Sequence, residues 1–166
     1  MTLLRILDRF FSRIEYILIV VLLGSMVLLA FSQVILRNIF DTGIVWADTI
    51  VRHLVLWSGF VGAALATSDE RHISIDALTK FLSPRVRQVV MTITSLFAVI
   101  VCYYLGVAAW GYVAEEHAHG GELVLSIPSW VALLIIPSGY FLIAFHFLVR
   151  AADNAIKTFS RTPETR

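Results

Sequence analysis

Four long apolar runs constrain what this chain can fold into. The hydrocarbon core of a bilayer is about 30 Å thick, and a helix needs about 20 apolar residues to cross it while satisfying its own backbone hydrogen bonds. The runs occupy roughly residues 17–36, 46–67, 89–113 and 128–149. With 58% hydrophobic and 15% charged residues, the composition is far more apolar than that of a soluble domain. The sequence therefore predicts an all-α integral membrane protein with four transmembrane helices.

Basic residues are distributed unevenly between the segments that flank these runs. Eleven of the 13 Lys and Arg residues lie before the first run, between the second and third, or after the fourth. Only Arg37 lies in the other two connections, and Arg52 lies inside the second run. Because Lys and Arg are enriched on the cytoplasmic side, both termini are predicted to be cytoplasmic. Residues 1–166 then form a single four-span membrane domain, with a cytoplasmic tail over 150–166.

The N-terminal segment, residues 1–13, is predicted to be an amphipathic arm. Apolar and polar side chains recur at helical spacing over 3–13, so we expect a helix that lies on the membrane surface. It either anchors the chain in lipid or lies against another subunit. Three arginines ahead of an apolar run also fit a secretory signal, but this run exceeds the usual core of about 7–15 residues, which favours an uncleaved span.

The second run is unusual because polar side chains occupy its start. Asp48, Arg52 and His53 follow Trp46 within two helical turns. Asp48 and Arg52 are four residues apart on one helix face, so their charges can partly neutralise each other, while His53 points about 100° away. These residues either hold the helix at the membrane interface beside Trp46, or make a polar contact with another subunit or a lipid.

Small residues follow in the same run at helical spacing: Ser58, Gly59, Gly62, Ala63 and Ala66. Such a stripe allows another helix to approach the backbone closely. That helix belongs either to this chain or to another protein, and the spacing alone fits both.

Two prolines predict features of the later helices. Ser83 and Pro84 have the residue types of an N-cap followed by a first helical position, so the helix of the third run is predicted to begin at Pro84. Pro137, inside the fourth run, cannot donate a backbone hydrogen bond and predicts a kink.

The runs lack the residues expected of a catalytic, haem or ion-conducting protein. The first, third and fourth contain no Asp, Glu, Lys or Arg. His53 and His146 lie near opposite ends of their spans, so they cannot share a haem iron. His and Glu side chains over 115–122 could bind a divalent cation, although a solvated loop or a docking surface for a periplasmic partner is favoured. The chain is therefore predicted to be no enzyme and to hold no cofactor or metal.

The segment from 46 to 78 resembles a known family. Its order is Trp46, Asp48, Arg52, Leu56-Trp57, then Gly59-Phe60-Val61-Gly62-Ala63-Ala64, and then a cytoplasmic loop motif that contains His72 and Asp76 in His72-Ile73-Ser74-Ile75-Asp76-Ala77-Leu78. Together with the length and four-span topology, this order resembles the DctQ-like small membrane subunit of tripartite ATP-independent periplasmic (TRAP) transporters. The family often has a second acid where this chain has Thr49, and often a glycine shortly before the histidine, where this chain has Asp69-Glu70-Arg71.

The resemblance implies a role in transport. In this family a large membrane subunit carries the substrate and sodium sites, and a periplasmic binding protein delivers an organic acid. The small subunit, in the bacterial inner membrane, supports the large one and contacts lipid. Two alternatives fit the span count: a membrane anchor of a redox enzyme and a small homodimeric exporter. The first needs paired haem ligands and the second usually needs a membrane-embedded acid.

Overall fold

The fold is helical throughout the described part of the chain. A computed structural model describes residues 2–68, 84–124 and 126–160. The helices are α1 (Thr2–Ile39), α2 (Ala47–Ser68), α3 (Pro84–His119), α4 (Ser129–Leu133) and α5 (Ile135–Ser160). Four stretches are long and apolar enough to cross a membrane: Ile6–Ile39, Ala47–Ser68, Val86–His119 and Ser129–Ile156. The predicted all-α class with four candidate spans is confirmed.

The long helices extend well beyond the apolar runs. α1 has 38 residues and α3 has 36, so at 1.5 Å per residue they are about 57 and 54 Å long. Pro84, predicted to stand at the first helical position, is helical and is the first described residue of α3. Residues 3–13 belong to α1 and continue into the first span without interruption, so a separate surface helix at the N-terminus is not confirmed. Polar residues at the ends of these helices keep the helical conformation because backbone hydrogen bonding continues there.

The last span is interrupted where the sequence predicts a kink. α4 ends at Leu133, Leu134 is a turn residue, and α5 begins at Ile135. Pro137 follows directly and has no N–H to offer to the carbonyl of Leu133, four residues earlier. The missing hydrogen bond accounts for the break.

The long helices pack side by side in the order α1, α2, α5 and α3, which differs from their order in the chain. α3 packs along α5, α5 against α2, and α2 against α1, while α1 and α5 meet over a smaller region. Leu22, Val61 and Ile135 form a small buried core between α1, α2 and α5. In no candidate span is more than 22% of the apolar window buried within the chain. Most of the apolar helix surface therefore remains available to lipid or to another protein.

α2 and α5 approach each other closely at Gly139. A Cβ atom on this residue would lie 2.6 Å from Cδ1 of Phe60 and 2.9 Å from its Cβ. The Phe60 ring also contacts Tyr140 edge-on, with centroids 5.2 Å apart. Glycine at position 139 is thus what allows the two backbones to come together.

The two ends of the bundle differ in what they contain. The α1–α2 and α3–α4 loops lie at one end, called here the loop end. α1 begins and α5 ends at the other, called the terminal end.

Candidate interaction surface

One face of α2 is exposed along its whole length. The exposed residues are spaced three or four apart, which places them on one side of the helix: Asp48, Arg52, Val55, Gly59, Ala63 and Ala66. On the other side, Val61, Ala64 and Thr67 are buried against the rest of the bundle. We call the exposed face the α2 stripe. It is polar at the loop end and carries small side chains towards the terminal end.

The predicted small residues divide between two environments. Gly59 has no atom within 4 Å of where a Cβ would lie, and Ala63 and Ala66 are exposed. Gly62 faces α1, where a Cβ would lie 3.7 Å from Cδ1 of Ile19. Ser58 is half-buried and donates to the carbonyl of Val55 at 2.9 Å. Packing within the chain therefore uses Gly62, whereas Gly59, Ala63 and Ala66 are left for something outside it.

At the polar end of the stripe, Asp48 and Arg52 lie on one helix face, as their spacing predicts. Arg52 donates from Nε to the backbone carbonyl of Asp48 at 3.3 Å, and within the described chain the two side chains form no ion pair. Asp48 stands in the first turn of α2, where a negative charge suits the positive end of the helix dipole. The carboxylate and most of the guanidinium thus remain available to groups outside the chain.

His53 lies off the stripe and lines an apolar cavity. Its Nδ1 is 2.8 Å from the carbonyl oxygen of Thr49, and because a carbonyl only accepts, Nδ1 carries the hydrogen. The cavity has a volume of about 280 Å³ and lies between α1, α2, α4 and the α3–α4 loop. Trp57, in its wall, donates from Nε1 to the carbonyl of Ala132 at 2.8 Å and so ties α2 to α4.

The α1–α2 loop is fixed by one side chain that the sequence did not single out. The Gln33 amide accepts from the backbone N–H of Ile44 at 2.9 Å and donates to its carbonyl at 3.3 Å. Trp46 is half-buried in the turn before α2. A polar cavity of about 600 Å³, lined in part by Arg37, Asp41 and Asp48, opens beside the end of the stripe.

Polar side chains in and beside the α3–α4 loop form hydrogen bonds with one another and with the loop backbone. The Ser129 hydroxyl contacts both the Glu116 carboxylate and the carbonyl of Gly121, and the ring of His117 packs edge-on against Trp130. His119 contacts the carbonyl of Glu115 through Nδ1 at 2.7 Å. Among the described residues, no three His, Cys, Asp or Glu side chains come together as a metal site would require.

A buried polar cluster at the terminal end escaped prediction. His146 on α5 is 2% exposed and lies between two carboxylates of α1: Nδ1 is 2.7 Å from Oδ1 of Asp8, and Nε2 is 2.8 Å from Oε1 of Glu15. Phe11 packs edge-on against Phe145 beside it. We call Asp8, Glu15 and His146 the His146 cluster. Residues 3–13 were predicted to lie on the membrane surface, yet Asp8 on their polar face contacts a helix of the chain's own bundle.

A sequence signal for this cluster does exist. Asp8 and Glu15 are seven residues apart and therefore share a helix face with Phe11, and His146 stands within an apolar run. His146 lies 138 positions after Asp8 and 131 positions after Glu15, so no local sequence pattern reveals that they are in contact.

A comparison with protein families identifies the chain. The model of the family described as tripartite ATP-independent periplasmic transporters, DctQ component, matches residues 26–156. The chain belongs to the DctQ family. The matched region includes the whole α2 stripe and His146, whereas Asp8 and Glu15 precede it.

Individual members of the TRAP transporter group are similar over much of the chain. A TRAP transporter small permease protein of Haemophilus influenzae is 33% identical over 107 residues, which cover 64% of this chain and 66% of that protein. The C4-dicarboxylate TRAP transporter small permease protein DctQ of Vibrio cholerae is 24% identical over 163 residues, covering 84% and 70%. The sialic acid TRAP transporter permease protein SiaT of H. influenzae is 27% identical over 74 residues, which cover 45% of this chain and 12% of SiaT.

The loop motif of the family lies outside the described residues. His72 and Asp76 fall within 69–83, between α2 and α3. Their role stays a prediction.

Proposed function

We propose that this DctQ family member is a non-catalytic small permease subunit in the bacterial inner membrane. It supports the large membrane subunit of an importer in which a periplasmic binding protein delivers an organic acid and a sodium gradient drives uptake. The observation that carries the proposal is the α2 stripe, a full-length exposed helix face with small residues at its centre, on a chain of this family. Small residues allow close helix packing, which is how membrane helices associate.

A large membrane partner fits the surface of the chain. At most 22% of any span is buried internally, so the helices have broad faces left for another protein. The stretch similar to SiaT makes up 12% of that permease protein, so in SiaT it is joined to a much longer chain. The same arrangement in two separate chains requires a docking surface, and we assign that role to the α2 stripe. Arg52, at the stripe's polar end, then contacts either the partner or lipid headgroups.

The distribution of charged groups favours a subunit that stabilises its partner over one that transfers substrate itself. The charged residues of α2 and its His53 stand near the loop end, and the His146 cluster stands near the terminal end. The stretches between them contain no Asp, Glu, Lys or Arg, whereas transporters bind ionic substrates near the bilayer midplane with charged or polar groups. An organic acid and its sodium ions are therefore assigned to the partner.

The positive charge at the terminal end predicts its orientation. We expect cysteines introduced at Arg5, Lys80 and Lys157, in a chain carrying Cys102→Ala, to be protected from an impermeant thiol reagent in intact cells. A cysteine at Gly120 should be labelled. Labelling of the first three positions only after permeabilisation is the control for reactivity, and labelling at Arg5 from outside would overturn the orientation.

The proposed function is tested by leaving the chain out. Proteoliposomes with the large subunit, this chain, the binding protein and an inward sodium gradient are expected to accumulate the organic acid, and those without this chain to remain near background. A sodium ionophore provides the control for the driving force. Full uptake without this chain would reject a supporting role, and uptake by this chain alone would point to an exporter-like transporter.

A further inference from the structure

The His146 cluster is so deeply buried that its hydrogen bonds depend on how many protons its three side chains carry. The His146 side chain has no exposed surface, Glu15 is 3% exposed, and the Asp8 side chain is 24% exposed. The second carboxylate oxygen of Glu15, Oε2, is also buried and has no hydrogen-bond partner among the described residues. Water therefore reaches the cluster mainly at Asp8, and Glu15 depends on His146 for its hydrogen bond.

Both contacts of His146 need a hydrogen. Ionised carboxylate oxygens only accept, so each of the two nitrogen–oxygen contacts, at 2.7 and 2.8 Å, is attractive only if a proton lies on its line. The closed cluster thus holds two protons and carries a net charge of −1. With one proton fewer, a nitrogen lone pair would face a carboxylate lone pair at hydrogen-bond distance, and that contact would repel.

Separated groups hold fewer protons. When α1 moves away from α5, the two solvated carboxylates are ionised and the imidazole is neutral above about pH 6.5, so only one proton remains. Closing the cluster therefore takes up one proton above that pH. By linkage, the ratio of closed to open cluster falls about tenfold for each further pH unit.

We propose that the His146 cluster is a proton-binding latch that holds the first turns of α1 against α5 and releases them as pH rises. The region it controls is small, because α1 and α5 otherwise meet mainly at the Phe11–Phe145 contact and the core around Leu22. The other described charged side chains of the terminal end are Arg9, Arg13, Arg87, Arg150 and Asp153. α2 has no charged side chain there and presents Thr67 and Ser68.

The latch makes a prediction about Glu15→Gln that a merely structural contact does not. The glutamine amide supplies a hydrogen that does not titrate towards Nε2 of His146, while Nδ1–H donates to Asp8, so a neutral imidazole satisfies both contacts. Since Oε2 of Glu15 has no partner among the described residues, the amide loses no bond seen there. We expect Glu15→Gln to stay closed at a pH that opens the wild type. Asp8→Asn should act in the same way from the other side.

The opening is measured as a distance between spin labels on the full chain in lipid nanodiscs. Labels at Arg9 and Ile156, both exposed, are introduced with Cys102→Ala. The wild type is expected to show a short, narrow distance at pH 6 that is lost by pH 9. The midpoint should move up by at least one pH unit in Glu15→Gln and Asp8→Asn. His146→Gln, which can donate to only one carboxylate, should be open throughout.

Glu115→Gln, an exposed acid at the loop end, is the matched control and should follow the wild type. A wild-type distance that is the same at pH 6 and pH 9 would overturn the proposal. Opening at the same pH midpoint as the wild type in both Glu15→Gln and Asp8→Asn would also overturn it. Because the measurement does not involve uptake, its outcome is independent of the transport function.

Discussion

Replacing Gly59 and Ala63 together by leucine is expected to separate this chain from its large partner without unfolding it. No described residue has an atom within 4 Å of a Cβ on Gly59, and Ala63 is exposed, so the new side chains meet no internal neighbour in the described part of the chain. In a complex docked on the α2 stripe, they would hold the partner's backbone away. Overpacking costs about 1–3 kcal/mol per site, and 1.4 kcal/mol is a tenfold change in association. Copurification with the large subunit, and uptake by the complex as proposed above, should therefore both fall at least about tenfold.

Two comparisons make this result specific. The thermal midpoint of the isolated double variant should stay within about 4 °C of the parent, because the chain's own packing is untouched. Gly111→Leu introduces one leucine side chain at an exposed glycine of α3 that has no described atom within 4 Å of its Cβ position, and should leave the complex intact. Wild-type copurification of the double variant would exclude the α2 stripe as the docking surface.

A second large effect is expected inside the chain, at Gly139. In Gly139→Ala the added Cβ would lie within 3 Å of three Phe60 atoms, one of which is the Cβ of Phe60 and cannot rotate away. α2 and α5 must then separate, at a cost of about 1–3 kcal/mol. We expect a lower thermal midpoint in detergent and a loss of monodisperse protein. Gly139→Leu should be worse.

The cause can be isolated with a partner mutation. Phe60→Ala removes two of the three clashing atoms, the ring atoms Cδ1 and Cγ, and keeps only the Cβ, so it should recover part of the stability in the Gly139→Ala background even though it is destabilising alone. Gly106→Ala is a milder comparison, because there the Cβ would lie 3.0–3.3 Å from outer ring atoms of the partly exposed Phe141, which can shift. If Gly139→Ala and Gly106→Ala melt alike, the close approach of α2 and α5 is not what stabilises the fold.

The spans were predictable because crossing a bilayer imposes one simple requirement, length of apolar helix. That requirement located all four candidate spans, and the chemistry of Pro137 located the break before α5. It did not limit how far α1 and α3 continue, since polar residues outside the apolar runs are also compatible with a helix. The continuous α1 in place of a separate surface helix follows from this.

The sequence predicted which residues share a face of α2, but it did not predict which way that face points or what its polar side chains contact. Periodicity placed Asp48, Gly59 and Ala63 on one helix, but which side faces outwards depends on where α1 and α5 pack. The four-residue spacing predicted that Asp48 and Arg52 share a helix face, but it could not show that the guanidinium donates to the backbone carbonyl of Asp48. The His146 cluster required two helices far apart in sequence, so only the folded chain could reveal it.

The two hydrogen bonds between the Gln33 side-chain amide and the backbone of Ile44 limit which residues positions 33 and 43 can accept. A side-chain amide carries a donor and an acceptor side by side, which is what the N–H and C=O of Ile44 require. Glutamate has no donor and asparagine is one methylene shorter, so neither reproduces both bonds. A Cβ at Gly43 would lie 3.3 Å from Nε2 of Gln33, which leaves little room for a larger residue there. In sequences that diverge from this one, we therefore expect glutamine at position 33 and glycine at position 43 to be retained together. Substitutions in the α1–α2 loop are expected first at its other positions.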